Sequence, residues 1–472
     1  MVFSSLLFLC LFMPVVFILH SVIPNLKLRN FLLLLASLLF YAYGEPGYIL
    51  LMLISVLLNY IFALLLSKYQ KKIFLVSAVI VNLGILGVFK YTDFLLTAIN
   101  SALDIALPLP NIPLPIGISF FTFQALSYVI DVYRKDVPAQ RNYAKLLLYI
   151  SFFPQLIAGP IVRYKDIARE IDDRHTDIKS ISFGLRRFIV GLGKKVLISN
   201  SMAVVADFIF ELNGEELNIL SAWIGALAYL MQIYFDFSGY SDMAIGLGKM
   251  FGFHFKENFN HPYIASTIQD FWRRWHISLS TFFRDYVYIP LGGNRKGKVR
   301  TVLNKIFVFF LTGLWHGANW TFIVWGLFHG FFLLLEEFIP KIKKLPKFIL
   351  HFYTLITVTV GFVIFRADTL SNAISFITKM FTGFDFSAEK MSLVIHPLTP
   401  FFVIMFVAAI IGCGPLHKFS VKVSDLQNAT ETLTKREKVI ETITFVVAVI
   451  IFIWCIIRLA GGTYNPFIYF RF

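Results

Sequence analysis

Residues 306–335 read IFVFFLTGLWHGANWTFIVWGLFHGFFLLL. These 30 residues contain no Asp, Glu, Lys or Arg. As one helix they would extend about 45 Å, well beyond the ~30 Å hydrocarbon core that a single span has to cross. The middle of the run, Gly317 to Asn319, holds polar atoms and weak helix formers, so two spans joined at 317–319 are expected. A single tilted span would flip the side of everything downstream. Either way the stretch belongs in a bilayer, and it carries an imidazole, His316, at membrane depth.

The same apolar character extends outward in both directions. Of 472 residues, 57% are apolar and 15% charged, with 53 Phe and a mean hydropathy of +0.72. A soluble protein carries about 25% charged residues, so this chain lacks the charge to cover a water-facing surface. Further apolar runs occur at 1–19, 31–43, 48–66, 73–89, 112–133, 181–210, 217–237, 302–320, 321–338, 348–365, 399–413 and 440–457. The expectation is an all-α polytopic membrane protein with about eleven or twelve spans in one integral membrane domain, 1–472. The first run has no Lys or Arg before it and no small-residue cleavage site after it, which predicts an uncleaved span with its N-terminus outside.

Forty-three Lys and Arg against 28 Asp and Glu give a net charge of +15. The excess collects in short connectors at 68–72, 134–145, 163–179, 273–305, 341–347 and 418–438, as cytoplasmic loops of a multispan protein do. Nucleic acid is therefore not expected as a partner; the lipid bilayer is. The stretch 92–115 has no Lys or Arg and 207–216 is acidic, and alternation places both outside. The run 143–160 is interrupted by Pro154, Gly159 and Pro160 and predicts a re-entrant element, because broken backbone at that depth has to be buried in protein or line a cavity.

Several chemistries are set aside. The Gly-Lys pairs at 193, 248 and 297 are followed by Lys195, Met250 and Val299, so no Walker A loop exists. HExxH and GxSxG are missing as well. Cys10, Cys413 and Cys455 stand alone in apolar runs, and neither a disulfide framework nor a metal site is expected.

An ionisable residue inside a membrane is costly and by default a functional candidate. Around His316, Gly313 and Gly317 form a GxxxG spacing that admits a close helix neighbour, and Trp315, Trp320 and Trp325 supply rigid walls. Two readings stand: a structural histidine bonded between helices, or a neutral imidazole in a dry pocket acting as general base. His329 follows 13 residues later and, across the break, reads as a packing or polar-network residue.

The second constellation is 270–295, DFWRRWHISLSTFFRDYVYIPLGGNR. It is too charged to span and reads as an amphipathic helix at the cytoplasmic interface. Trp272, Arg273 and Arg274 are either anchoring and cation–π groups or a site for a polyanion, since guanidinium groups grip phosphates and indole faces stack on purines.

These segments together resemble the membrane-bound O-acyltransferase family. Its histidine in an apolar WHG context falls on Trp315–His316–Gly317, and its second polar position on His276. SFFPQLIAGPIVRY at 151–164, FDFSGYSDMAIGLG at 235–248, the 270–295 stretch and WHGANWTFIVWGLFHG resemble the bacterial polysaccharide O-acetyltransferase branch, in the same order. The D-alanyl transfer proteins of teichoic acid modification are similar but less close. The resemblance implies helices around a central acyl tunnel in a bacterial cytoplasmic membrane. It implies a cytoplasmic thioester donor, acetyl-CoA or an acyl carrier, with no bound cofactor, and a polysaccharide acceptor outside. It makes His316 the base and His276 its assistant, with Trp315, Trp272, Arg273, Arg274 and Asn319 as tunnel or donor-binding candidates and Asn319 or a backbone N–H as oxyanion donor. A separate extracytoplasmic acetyltransferase with a serine nucleophile is the implied partner.

The last residues, 467–472, read FIYFRF, and an FxYFxF end also resembles this branch. Either these residues anchor at the headgroup level, or Tyr469 accepts the acyl group and passes it on. A phenol of pKa ~10 leaves far better than a sugar hydroxyl and only moderately worse than a thiol near 8.5. A non-enzymatic polysaccharide exporter and a scaffold for an extracytoplasmic enzyme are the competing classes; neither needs the WHG histidine.

Overall fold

The computed structural model describes residues 1–157, 159–414, 435–462, 464, 465, 467 and 468; Tyr469 and most of the 418–438 connector lie outside them. The described residues form helices and no strand. Eight helices are long and apolar enough to cross a membrane: Leu26–Gly44, Ile49–Tyr69, Lys72–Leu103, Ile178–Phe210, Ile219–Met250, Trp320–Phe338, Lys347–Arg366 and Lys438–Ala460. The four remaining expected spans are present as helices that fall short of that standard for visible reasons. Phe8–Val22 is short, Ile118–Arg134 has 17 residues, Lys298–His316 opens on basic residues, and Ala388–Ile395 meets Pro400–Cys413 at a 67° bend. Two sequence boundaries are corrected. The runs at 73–89 and 217–237 each belong to a 32-residue helix, so the FDFSGYSDMAIGLG motif is helical throughout.

The chain divides into two compact units, Met1–Phe188 with Met243–Lys256, and Ile189–Asp242 with Glu257–Phe472. In the first, the expected re-entrant element is the helix Tyr143–Ser151, a break at Phe152 and a single turn Phe153–Leu156, all closely packed. Its freed backbone is met inside the unit, where the Phe153 N–H donates to Ser37 Oγ at 3.1 Å. Gly117 takes a positive φ of 78°, and a Cβ there would lie 2.7 Å from the Leu156 carbonyl oxygen; only glycine fits so tight an approach. Asn59 and Asn82, on neighbouring spans, exchange amide hydrogen bonds at 2.8 and 3.0 Å, the polar glue that apolar surroundings favour.

The second unit holds the quoted stretch. Lys298–His316 ends at His316 and Trp320–Phe338 begins three residues later, so the break falls at 317–319 as its composition dictates. The two helices pack antiparallel through glycines. A Cβ on Gly313 would meet the Phe322 oxygen at 2.2 Å, and one on Gly326 the Phe309 oxygen at 2.2 Å. The second GxxxG, Gly326 to Gly330, completes the seam begun by Gly313 and Gly317.

Candidate functional site

His316 is the last residue of its helix, 6% exposed, and Gly317 after it is extended. Its ring stands edge-on to Trp325 with centroids 5.1 Å apart, 4.9 Å from Trp315 and 5.3 Å from Phe365. Ile233, Phe237, Trp275, Trp325, Phe362, Phe365 and Ile468 join it around a pocket of about 10 Å³, room for about one water molecule. The pocket is lined almost entirely by aromatic and aliphatic side chains.

The 270–295 stretch is not one amphipathic helix. It forms two short helices, Ile268–Arg274 and Ile277–Phe283, followed by a π-helical turn, Arg284–Tyr288. Between the helices His276 takes φ 44°, the left-handed region that costs a non-glycine residue. That kink carries His276 to complete burial, 6.3 Å between ring centroids from His316 and 5.9 Å from Trp315. The first short helix is docked by Glu336, whose carboxylate accepts the backbone N–H groups of Ile268 at 2.5 Å and Gln269 at 3.2 Å.

Asn258 fixes the state of His276. Its Oδ1 accepts the Ser278 backbone N–H at 3.1 Å and the Ser278 hydroxyl at 2.8 Å, which identifies the atom as the carbonyl oxygen. His276 Nδ1 lies 3.3 Å from the same oxygen and must carry the proton. Nε2 therefore keeps its lone pair, and it has no hydrogen-bond partner among the described residues. Burial lowers the pKa of this imidazole well below the ordinary value, so it is neutral at pH 7. A neutral His276 in this tautomer accepts a proton or hydrogen bond at Nε2 and has nothing there to offer an oxyanion. Sequence reading missed Asn258, which sits 18 residues upstream in a loop.

The other candidates separate. Trp272 is buried and lines a second cavity of about 150 Å³ with Ser280, Arg284, Tyr288, Phe309 and Thr312. Its ring lies 5.7 Å from Trp325, which lines the His316 pocket, so two indoles in contact stand between the cavities. Arg274 is held by Asp270 at 3.0 Å and donates to the Asn260 carbonyl, and Arg273 is exposed; neither lines either cavity. Asn319 stands at the N-terminus of the next helix. Its Oδ1 caps the next helix through the Thr321 N–H at 3.2 Å, and its Nδ2 donates to the Asp368 carbonyl at 2.9 Å. The Trp325 indole N–H, by contrast, is buried and has no hydrogen-bond partner among the described residues. His329 is fully buried, with Trp272 at 5.3 Å and Trp325 at 5.2 Å. No group of His, Cys, Asp and Glu suited to a metal ion occurs among the described residues.

Residues 65–377 match the family model described as the membrane-bound O-acyltransferase family. Over the full length of both chains the protein is 40% identical to the probable alginate O-acetylase of Pseudomonas putida. It is 38% identical to the peptidoglycan O-acetyltransferase of Helicobacter pylori over 80% of each chain. With the teichoic acid D-alanyltransferase of Bacillus subtilis it shares 31% identity over 50% of this chain and 62% of that one. The matched region contains His276, His316, Trp272 and Trp325.

Proposed function

Because this chain belongs to the membrane-bound O-acyltransferase family, we propose that it moves an acetyl group from a cytoplasmic thioester, acetyl-CoA, across a bacterial cytoplasmic membrane for O-acetylation of an extracytoplasmic polysaccharide. The observation that carries the reading is a pair of buried imidazoles, His276 and His316, 6.3 Å apart beside a pocket walled by aromatic rings. Full-length similarity to an alginate O-acetylase, and similarity over 80% of the chain to a peptidoglycan O-acetyltransferase, supports acetyl over D-alanyl transfer, for which the likeness covers half of the chain.

His316, neutral in a water-poor pocket, takes the proton of the acceptor hydroxyl as its oxygen attacks the thioester carbonyl. The C–O bond forms, the C–S bond breaks, and the departing thiolate takes the proton back from the imidazolium. His276 assists through Nε2, by accepting a hydrogen bond that orients the hydroxyl or the base. The Trp325 indole N–H supplies a donor for the developing oxyanion. The Trp272 cavity, with Arg284 in its wall, takes the pantetheine arm of the donor. Arg273 and Arg274 lie near enough in sequence to Trp272 to meet its phosphates at the surface.

Tyr469 is the first acceptor in this scheme. Its phenol oxygen takes the acetyl from the thioester; the serine hydroxyl of a partner acetyltransferase then attacks the tyrosyl ester, its proton going to the leaving phenolate, and a sugar hydroxyl takes the acetyl from the seryl ester as its own proton returns to the serine. Tyr469 lies outside the described residues; support comes from Ile468, one residue earlier in the sequence, which lines the His316 pocket. The test is His316→Ala in cells or proteoliposomes supplied with labelled acetyl-CoA. Transfer to glycan should fall by about a hundredfold or more while the protein remains in the membrane. Retained transfer would overturn the catalytic assignment.

A further inference from the structure

The C-terminal segment is attached to the second unit at successive points. After the helix ending at Ala460, the Tyr464 hydroxyl donates to Asp207 Oδ2 at 3.0 Å, and Asn200 Nδ2 donates to Asn465 Oδ1 at 3.0 Å. The Phe467 ring lies 5.8 Å from Lys195 Nζ and 5.0 Å from the Tyr240 ring. Ile468 donates its backbone N–H to Asp236 Oδ2 at 2.8 Å. The anchors 207, 200 and 195 step backward along one spanning helix, so the tail folds inward and reaches the wall of the His316 pocket.

At the inner end stands an ion pair. Lys195 Nζ is 2.5 Å from Asp236 Oδ1, and both side chains are 2% exposed or less. Lys195 lies in a π-helical turn, Lys194–Ser199, the local irregularity that re-aims side chains at functional sites. Two buried charges cost several kcal/mol to desolvate, and the cost is met only when the remaining lone pairs are also satisfied. On Asp236 the tail supplies a hydrogen bond to Oδ2, from the Ile468 N–H, while Oδ1 faces the lysine as its ion-pair partner.

We infer that Lys195 and Asp236 are positioning residues that seat the C-terminal segment in the acyl-transfer pocket, with the Asp236 carboxylate acting as the latch for the Ile468 amide. The inference builds on the acyl-relay reading, because the seated Ile468 lines the His316 pocket. The pair is not a catalytic one: it touches the tail, and the tail meets the chemistry.

The test uses the full-length protein in nanodiscs with its three cysteines changed to serine and Ile468→Cys as reporter. Lys195→Met/Asp236→Asn and Lys195→Met/Asp236→Leu both remove the charges and keep the volume, but only the first keeps an acceptor for the tail. Maleimide should label the reporter at least about tenfold faster in the leucine double than in the asparagine double, the size of one buried hydrogen bond. Equal rates overturn the seat. In the native protein, the amide of Ile468 should exchange at least about tenfold more slowly than an open chain; exchange at the open-chain rate overturns it without any variant having to fold. The leucine double with native Ile468 should also lose kcat for glycan acetylation with KM for acetyl-CoA unchanged. Tyr469→Phe separates the two ideas: full transfer in that variant sinks the relay, whereas labelling and exchange judge the seat alone.

Discussion

His316 was legible because nothing around it explains an imidazole: thirty residues without a charge leave it as the one titratable exception together with His329. The tautomer of His276 was not, because Asn258 reaches it through a loop and a left-handed residue that no local pattern announces. Asn319, a polar residue beside a catalytic candidate, also caps a helix through its Oδ1, a role that the sequence reading did not assign. The Asn258 arrangement makes a sharp prediction. Asn258→Leu removes the acceptor of Nδ1–H, so the nitrogen spectrum of His276 should shift to a mixture of tautomers and acetyl transfer should fall about tenfold or more. Asn258→Asp keeps an acceptor but adds a negative charge, which favours the imidazolium and raises the pKa of His276. Activity that needs neutral His276 is then lost on the acid side at a higher pH than in the wild type. An unmoved acid limb in Asn258→Asp, together with full activity in Asn258→Leu, would remove His276 from the mechanism.

At the level of elements, composition located all eight helices long and apolar enough to cross a membrane and misjudged how two of them end. The break at 317–319 followed from helix length and weak formers, and it is where the structure has it. The run continues beyond residue 237, where Asp236, Ser238 and Ser241 are buried inside the protein and Asp236 and Asp242 pair with Lys195 and Lys194. Helix seams depend on what is absent. Gly326→Ala places a Cβ 2.2 Å from the Phe309 oxygen and 3.0 Å from the Gly313 nitrogen, so the helix pair must separate. Overpacking of this kind costs about 1–3 kcal/mol, and the variant should show a lowered melting temperature in detergent. Gly84→Ala is the matched control: it is also in a spanning helix, nothing lies within 4 Å of its Cβ, and the substitution should be neutral or mildly stabilising. Equal effects in the two variants would mean that the close crossing does not matter to stability.

For the molecule as a whole, the +15 charge and the direction of transfer proposed above make one prediction together. The twelve crossings expected from the sequence, with the break at 317–319 making helices Lys298–His316 and Trp320–Phe338 cross in opposite senses, would return the C-terminal end to the side where the N-terminus lies. The excess of Lys and Arg in alternate connectors assigns that side to the exterior. Asp104 sits in the stretch without Lys or Arg and Lys343 in a basic connector, and both are exposed. In a background with the native cysteines replaced, Asp104→Cys should react with a membrane-impermeant maleimide on intact cells, and Lys343→Cys only after permeabilisation. One residue comes from each compact unit, so the result fixes the direction of both. The reverse pattern would place the basic connectors outside. It would set the Trp272 cavity and the C-terminal segment on sides where a cytoplasmic acetyl-CoA could not meet them in the proposed order, and the scheme of transfer toward an exterior glycan would fail with it.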